Sequence, residues 1–264
     1  MIPSTSPIPV VMLHSSMSSK AQWNSLIKRL PPGFRPISID LHGYGKRAIP
    51  PPDAAFSLAD EIELVNSVID QHVPKGSPFH LIGHSYGGAV ALRMAHEQSR
   101  RVLSMALFEP LSFGLLGWQE MAQHEVSELV MGIDRCIATD PVGATSMFID
   151  YWNGRNAFSR ISCARVKADL VAKIGKLRLD YQALLGDSLR PHHLPVLTMP
   201  VYLISGQYSP TPARRVAEVL ARNLPNVTFQ QVGGGHMAPL THVEEVNQIL
   251  LDFLRTEAAM SALT

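Results

Sequence analysis

Short apolar runs separated by turn-rich stretches recur along this chain, and between them lie longer segments whose apolar positions repeat every three or four residues. Six runs have the length and composition of buried strands: Pro9–Leu13, Pro36–Asp40, Phe79–Gly83, Val102–Phe108, Val201–Ser205 and Val227–Val232. Runs that stay apolar without strict alternation point to parallel strands covered on both faces. Ser57, followed three residues later by Asp60, forms a helix-capping pair, and Ile62, Val65, Ile69 and Val73 continue an apolar stripe, which predicts a helix over 58–73. Tyr86–Gln98 follows a strand at once, and its Ala89, Ala91, Leu92 and Ala95 let a second helix pack closely on a sheet. Over 110–195 the alternation stops. Helical patterns there carry Met121, Met131, Met147, Phe148, Tyr151, Trp152 and Phe158. The expected architecture is α/β: a core of residues 1–109 and 196–264 around a six-stranded, essentially parallel sheet flanked by helices, with 110–195 inserted as a helical cap.

Composition narrows the function classes. The 264 residues hold 23 Lys and Arg against 22 Asp and Glu, a formal charge of +1, and the charged fraction is 17%, below the roughly 25% of ordinary soluble domains. Such a surface does not suit a polyanion, so nucleic acid is not an expected partner. Pro (20) and Gly (18) are plentiful, but runs of three occur only at Pro50–Pro52 and Gly233–Gly235, and no period of solenoid length is present. The apolar run Ile8–Leu13 is interrupted by Pro9 and precedes the first basic residue, Lys20, a pattern that fits neither a secretory leader nor a membrane span. Cys136 and Cys163 form no CxxC pair and are expected to be reduced thiols of a cytoplasmic protein. No HExxH or GxxxxGK[ST] occurs, and the adjacent His192 and His193 lack spaced acidic companions, so neither a metal nor a cofactor is expected. A homodimer is permitted but not required.

The candidate chemistry stands at the third strand's end. Gly83-His84-Ser85-Tyr86-Gly87-Gly88 is a GxSxG pattern with Phe79-His80-Leu81-Ile82 before it and the Ala-rich helix after it. A nucleophile on a sharp strand-to-helix turn leaves no space for large neighbours, hence the glycines. Late in the chain, Gly233-Gly234-Gly235-His236-Met237 follows the last strand, and Asp40-Leu41-His42-Gly43-Tyr44-Gly45 follows the second. In this order the motifs resemble the α/β-hydrolase family over residues 8–110 and 196–255, although too few residues precede the first strand for the antiparallel hairpin that many relatives carry.

The resemblance implies that Ser85 is the nucleophile and His236 its general base. In most relatives an Asp after the penultimate strand completes the triad, but here Ser209 stands at that position, in Ser205-Gly206-Gln207-Tyr208-Ser209-Pro210. A neutral hydroxyl cannot stabilise an imidazolium as a carboxylate does. Glu109, in Leu107-Phe108-Glu109-Pro110, offers a carboxylate at the preceding strand end, where some relatives, including a group of haloalkane dehalogenases, place the acid. Glu109 is therefore the expected triad acid, the alternatives being a hinge carboxylate paired with an arginine, or a dyad with no acid. The family correspondence also implies an oxyanion hole from the backbone amides of Tyr86 and Ser16, the latter in His14-Ser15-Ser16-Met17-Ser18-Ser19, where Ser15 replaces the usual glycine. That serine-rich stretch also suits a cap for a helix containing Trp23 and Leu26.

Ser15, His14, Trp152, Tyr151 and Met237 are candidates for the substrate pocket. Adjacency allows only one of Tyr151 and Trp152 to face the site if that segment is helical. His14, His42 and His84 are expected to orient neighbours by hydrogen bonds, His242 to start a helix, and the Asp40–Gly45 stretch to be structural. The implied activity is carboxylic-ester hydrolysis of a hydrophobic small molecule. Lactone, thioester or carbon–carbon bond hydrolysis on the same triad, or ligand binding without catalysis, remain open alternatives. A serine nucleophile argues against dehalogenase and epoxide hydrolase chemistry, for which relatives use aspartate.

Overall fold

The structure is a computed structural model that describes residues 7–51, 55–117 and 119–261; Pro52 of the proline run lies outside the described residues. Six strands form one sheet: β1 (Ile8–Leu13), β2 (Phe34–Ile39), β3 (Phe79–His84), β4 (Val102–Phe108), β5 (Val201–Gly206) and β6 (Val227–Val232). Their order is β2-β1-β3-β4-β5-β6, with all five pairings parallel. The four central strands are almost wholly buried, as their continuous apolar runs require. The edges differ. β2 and β6 keep exposed positions on their outer halves, and Pro36 falls in edge strand β2, where a missing N–H costs no inner ladder bond. This edge character also explains why β2 begins at Phe34 rather than Pro36, since Phe34 and Arg35 carry little apolar signal together.

The chain forms helices α1 (Asn24–Ile27), α2 (Leu58–His72), α3 (Ser85–Glu97), α4 (Met121–Cys136), α5 (Pro141–Asn153), α6 (Ala164–Gly186), α7 (Thr211–Asn223), α8 (Ala238–Thr241) and α9 (Val243–Ser261). Side chains alternate across the strands, so each face of the sheet has its own partners. Val10, Met12, Ile82 and Ile204 pack with Trp23, Leu26 and the α9 residues Val246, Leu250 and Leu254. Val11, Leu13, Leu81, Leu107 and Leu203 belong to a larger cluster that takes in α2, α3 and α7 and runs without a break into α4–α6 through Val126, Trp152 and Leu177. The helices between β4 and β5 thus share the core's apolar interior. Met121, Met131 and Met147 do not join it: all three are exposed, because the buried stripe of α4 runs through Ala122, Val126, Leu129 and Ile133, and α5 buries Phe148 and Trp152 instead.

The strand order creates the site. The chain goes from β1 outward to β2 and then returns to place β3 on β1's other side, so the loops leaving β1 and β3 diverge and open a crevice at the strands' C-terminal ends. His14–Ser19 and Ser85 lie on the two sides of that crevice.

Leu203 is fully buried in the middle of β5. Leu203→Ala should lower the unfolding free energy by about 2–5 kcal/mol in urea titrations, and a loss well under about 1 kcal/mol would contradict its place in the core.

Candidate active site

Ser85 occupies the first position of α3, directly after β3, with φ at 56°. Only a strained turn achieves this, and the strain is of order 1–3 kcal/mol for a non-glycine residue. Its neighbours fix it there. The Gly87 N–H donates to the His14 carbonyl at 3.1 Å, and a Cβ on Gly87 would stand 2.4 Å from that oxygen, so only glycine lets the helix start press on the end of β1. Met17 and Glu109 also have positive φ, 60° and 41°. Of the four such non-glycine residues described, Ser85 and Glu109 directly follow β3 and β4 and Met17 lies in the turn after β1; the fourth, Asn156, is a residue type that tolerates this conformation.

The loop after β6 carries His236 over the sheet's edge. Its Nε2 lies 2.8 Å from Ser85 Oγ, and its Nδ1 lies 2.7 Å from Glu109 Oε2. An ionised carboxylate can only accept, so Nδ1 carries the proton and Nε2 presents its lone pair to the serine hydroxyl. Glu109 is fully buried, yet its carboxyl is held below the ordinary range: burial pushes it upward, and the hydrogen bonds and charge of His236, with the Ser205 hydroxyl, outweigh that. Ser205 Oγ and the Gly206 N–H donate to Oε1 at 2.7 and 2.8 Å. Ser209 is buried nearby, and its hydroxyl also helps to hold the Glu109 carboxyl down.

Two more histidines brace this arrangement. His84 is fully buried and donates from Nε2 to the His236 carbonyl at 2.9 Å, fixing the backbone of the histidine loop. His14 bonds the Ser15 carbonyl through Nδ1 at 2.7 Å and accepts the Leu41 N–H at 3.1 Å, tying the turn after β1 to the loop after β2. Burial drives the His14 pKa down to about 4 and that of His84 well below its usual value. His42 shares an edge contact with Phe56, and His242 stands between α8 and α9, where its carbonyl accepts the Val246 N–H. The Tyr86 amide belongs to the first turn of α3, whose N–H groups have no intrahelical partner.

A cavity of about 220 Å³ opens onto Ser85 and His236. Ser15, Ser16 and Met17 form one wall, Phe148, Ile149 and Trp152 of α5 another, and Met237 and Leu240 a third; among the described residues no Asp, Glu, Lys or Arg lines it. The Trp152 ring lies 4.4 Å from that of His236, held by an Nε1–H bond to the Tyr181 hydroxyl at 3.1 Å. Two sequence candidates fall outside this lining. His14 turns its ring into the protein to make the two bonds above, and Tyr151 points away to donate to Glu125 at 2.7 Å, as adjacency to Trp152 on a helix requires. The serine-rich turn also caps the short 3-10 turn Lys20–Trp23 through Ser19.

A second buried cluster was not foreseen. Glu61, Lys176 and Asp180 are all fully buried beside the turn after β1. One signal existed for Glu61, which lies four residues before Val65 on the apolar stripe of α2. Lys176 and Asp180, four apart on α6, had only their helical spacing. Among the described residues no group of His, Cys, Asp or Glu side chains is arranged to hold a metal ion, and no helix is long and apolar enough to cross a membrane. Cys136 and Cys163 are free.

Residues 10–249 match the sequence profile of the alpha/beta hydrolase family, and the chain belongs to that family. It is 26% identical over 255 residues to a pimeloyl-[acyl-carrier protein] methyl ester esterase of Vibrio vulnificus, covering 92% of this chain and 93% of that protein. It is also 29% identical over 126 residues to a probable lysophospholipase, BODYGUARD 2, of Arabidopsis thaliana; that match covers 46% of this chain and only 26% of the plant protein's length. Among solved structures, an enol-lactonase from Burkholderia xenovorans superposes with a TM-score of 0.76 at 18% identity, over 97% of this chain and 94% of that one, which is a likeness of fold.

The depressed histidines make stability sensitive to acid. A folded pKa near 4 for His14 against 6.5 unfolded means the unfolded chain binds more protons between those values, so stability falls as pH drops through that window. The loss from His14 should reach about 3 kcal/mol at the acid end. Urea unfolding at pH 7, 6 and 5 should reveal the slope, with a shallower one in His14→Gln; equal slopes would contradict the neutral, buried imidazole.

Proposed function

We propose that this chain is a serine hydrolase that cleaves carboxylic esters through an acyl-enzyme. The observation that carries this is the continuous relay from Ser85 Oγ through His236 to Glu109, with contacts of 2.8 and 2.7 Å in a buried setting. Ser85 Oγ attacks the ester carbonyl while its proton passes to His236 Nε2, and Glu109 stabilises the imidazolium without itself taking the proton. The carbonyl oxygen becomes an oxyanion, which the amides of Tyr86 and Ser16 are suited to receive; one such donor is worth about 3 kcal/mol. The carbon–oxygen bond to the alcohol then breaks, and His236 returns its proton to the departing oxygen. Water gives a proton to His236 and attacks the acylated Ser85, which leaves with that proton and releases the acid.

The substrate class follows from the cavity. A lining with no carboxylate, lysine or arginine among the described residues, rich in Phe148, Ile149, Trp152, Met237 and Leu240, favours a neutral, apolar acyl or alcohol group. Its modest volume favours short and medium chains. The helices α4–α6 act in this proposal as the cap that sets this selectivity. A methyl ester esterase among the relatives supports the reaction class.

Initial rates on p-nitrophenyl esters from acetate to dodecanoate test the proposal. Turnover should be strongest on short or medium chains, vanish in Ser85→Ala, and fall by about 10⁴-fold in kcat in Glu109→Gln, where the amide can favour the wrong tautomer of His236. Ester turnover that persists in Ser85→Ala would refute the nucleophile, and a Glu109→Gln variant of wild-type speed would refute the acid.

A further inference from the structure

The cluster of Lys176, Glu61 and Asp180 has no part in the reaction as written, yet it is energetically costly. Lys176 Nζ lies 3.2 Å from Glu61 Oε1 and is hydrogen-bonded to Asp180, and all three side chains have no solvent exposure. Two carboxylates and one ammonium lose their hydration here, and well-packed apolar residues of similar volume would often be as stable or more so. The ammonium also faces the rings of Phe56, Tyr86 and Tyr44 at 4.3, 5.0 and 5.5 Å. The fold makes space for it: Gly43 has φ at 72°, and a Cβ there would stand 2.8 Å from the Lys176 stem.

The cluster's outward bonds run to the active site. Asp180 Oδ2 accepts the Ser16 hydroxyl at 2.5 Å and the Tyr44 hydroxyl at 2.5 Å. Glu61 accepts the Tyr86 hydroxyl at 3.1 Å and the His42 N–H at 3.0 Å. Ser16 and Tyr86 are the two residues whose amides are suited to the oxyanion, and they stand on turns from different strands. A hole built from two turns works only if their separation is fixed before the reaction. Three elements meet at the cluster to do this: α2 with Glu61, the loop after β2 with Tyr44, and α6 with Lys176 and Asp180.

We infer that Asp180 and Lys176 are positioning residues of the oxyanion hole, gripping the Ser16 hydroxyl directly and the Tyr86 phenol through Glu61, so that helix α6 sets the geometry of the hole. The inference rests on the ester hydrolase proposal above. The aligned amides matter more to the transition state than to the bound ester, so loosening the Ser16 turn should act on kcat.

The test compares wild type, Ser16→Ala, Ser16→Thr and Asp180→Asn on one p-nitrophenyl ester, with inhibition by an apolar trifluoromethyl ketone, whose serine adduct carries an oxyanion. Ser16→Ala removes only the hydroxyl and leaves the ion cluster in place, so it reports even if Asp180→Asn fails to fold. For Ser16→Ala the expected results are a kcat lower by about tenfold to hundredfold, a KM within about twofold, and a ketone Ki raised by the same factor as kcat/KM falls. Ser16→Thr should restore most of the loss, and a folded Asp180→Asn should repeat the Ser16→Ala pattern. Wild-type kcat and ketone Ki in Ser16→Ala would overturn the inference and leave the ester hydrolase proposal standing. So would a rise in KM alone, since that would place the hydroxyl on the substrate. Absence of Ser85-dependent turnover in the wild type would instead refute the proposal itself, and this role with it.

Discussion

A carboxylate that must stay charged without water governs this molecule. Glu109 is fully buried at the end of β4, and an isolated ionised carboxyl there would take up a proton. Its two oxygens are instead both paired: one with Ser205 and the Gly206 amide, both at the end of β5, and the other with His236. That arrangement couples three strand ends. β5 supplies the donors, β4 the charge, and the loop after β6 the imidazole whose free nitrogen faces Ser85. With the carboxylate at the end of β4, the end of β5 serves as its hydrogen-bond donor. Glu109 reaches this position with a left-handed backbone, as do Ser85 and Met17. Strain gathered around one point is tolerated because the sheet and its helices over-determine it.

The rest of the site protects that geometry from competing protons and from water. His14 and His84 are neutral over the physiological range because burial disfavours their charged forms, so their bonds to the Ser15 and His236 carbonyls have one fixed direction. Trp152 lies against the face of His236, and apolar side chains of α5 close the cavity above Ser85. The helices between β4 and β5 meet the site twice. α5 supplies an apolar wall, while α6 brings buried charge to the Ser16 turn directly and to the Ser85 turn through Glu61. One continuous apolar cluster joins these helices to the sheet, so their placement is a property of the core.

Much of this was legible from residues alone, for identifiable reasons. Val102–Phe108 is bounded by Arg101 and by Glu109-Pro110, and both of its ends fall where the pattern puts them. β2 is less legible, because an edge strand carries polar residues. Ser85, His236 and Glu109 could be singled out because each follows a readable strand and matches a position that the resemblance to the α/β-hydrolase family implies, and the structure brings them into contact. Tertiary context supplied what local pattern could not. Met121, Met131 and Met147 look like pocket or core residues and are exposed, because apolarity does not tell which helix face is covered. Glu61, Lys176 and Asp180 escaped for the opposite reason, since a charged residue is read as a solvated one unless its partners are known, and these partners come from distant parts of the chain.

The central claim is that Glu109, through His236, makes Ser85 an activated nucleophile. The most direct measurement is the rate of covalent labelling by a fluorophosphonate, with the modified peptide mapped by mass spectrometry in wild type and in Glu109→Gln. The account predicts one rapid adduct, on Ser85, formed orders of magnitude more slowly in the variant. An adduct on another residue, or equal rates in the two proteins, would contradict it.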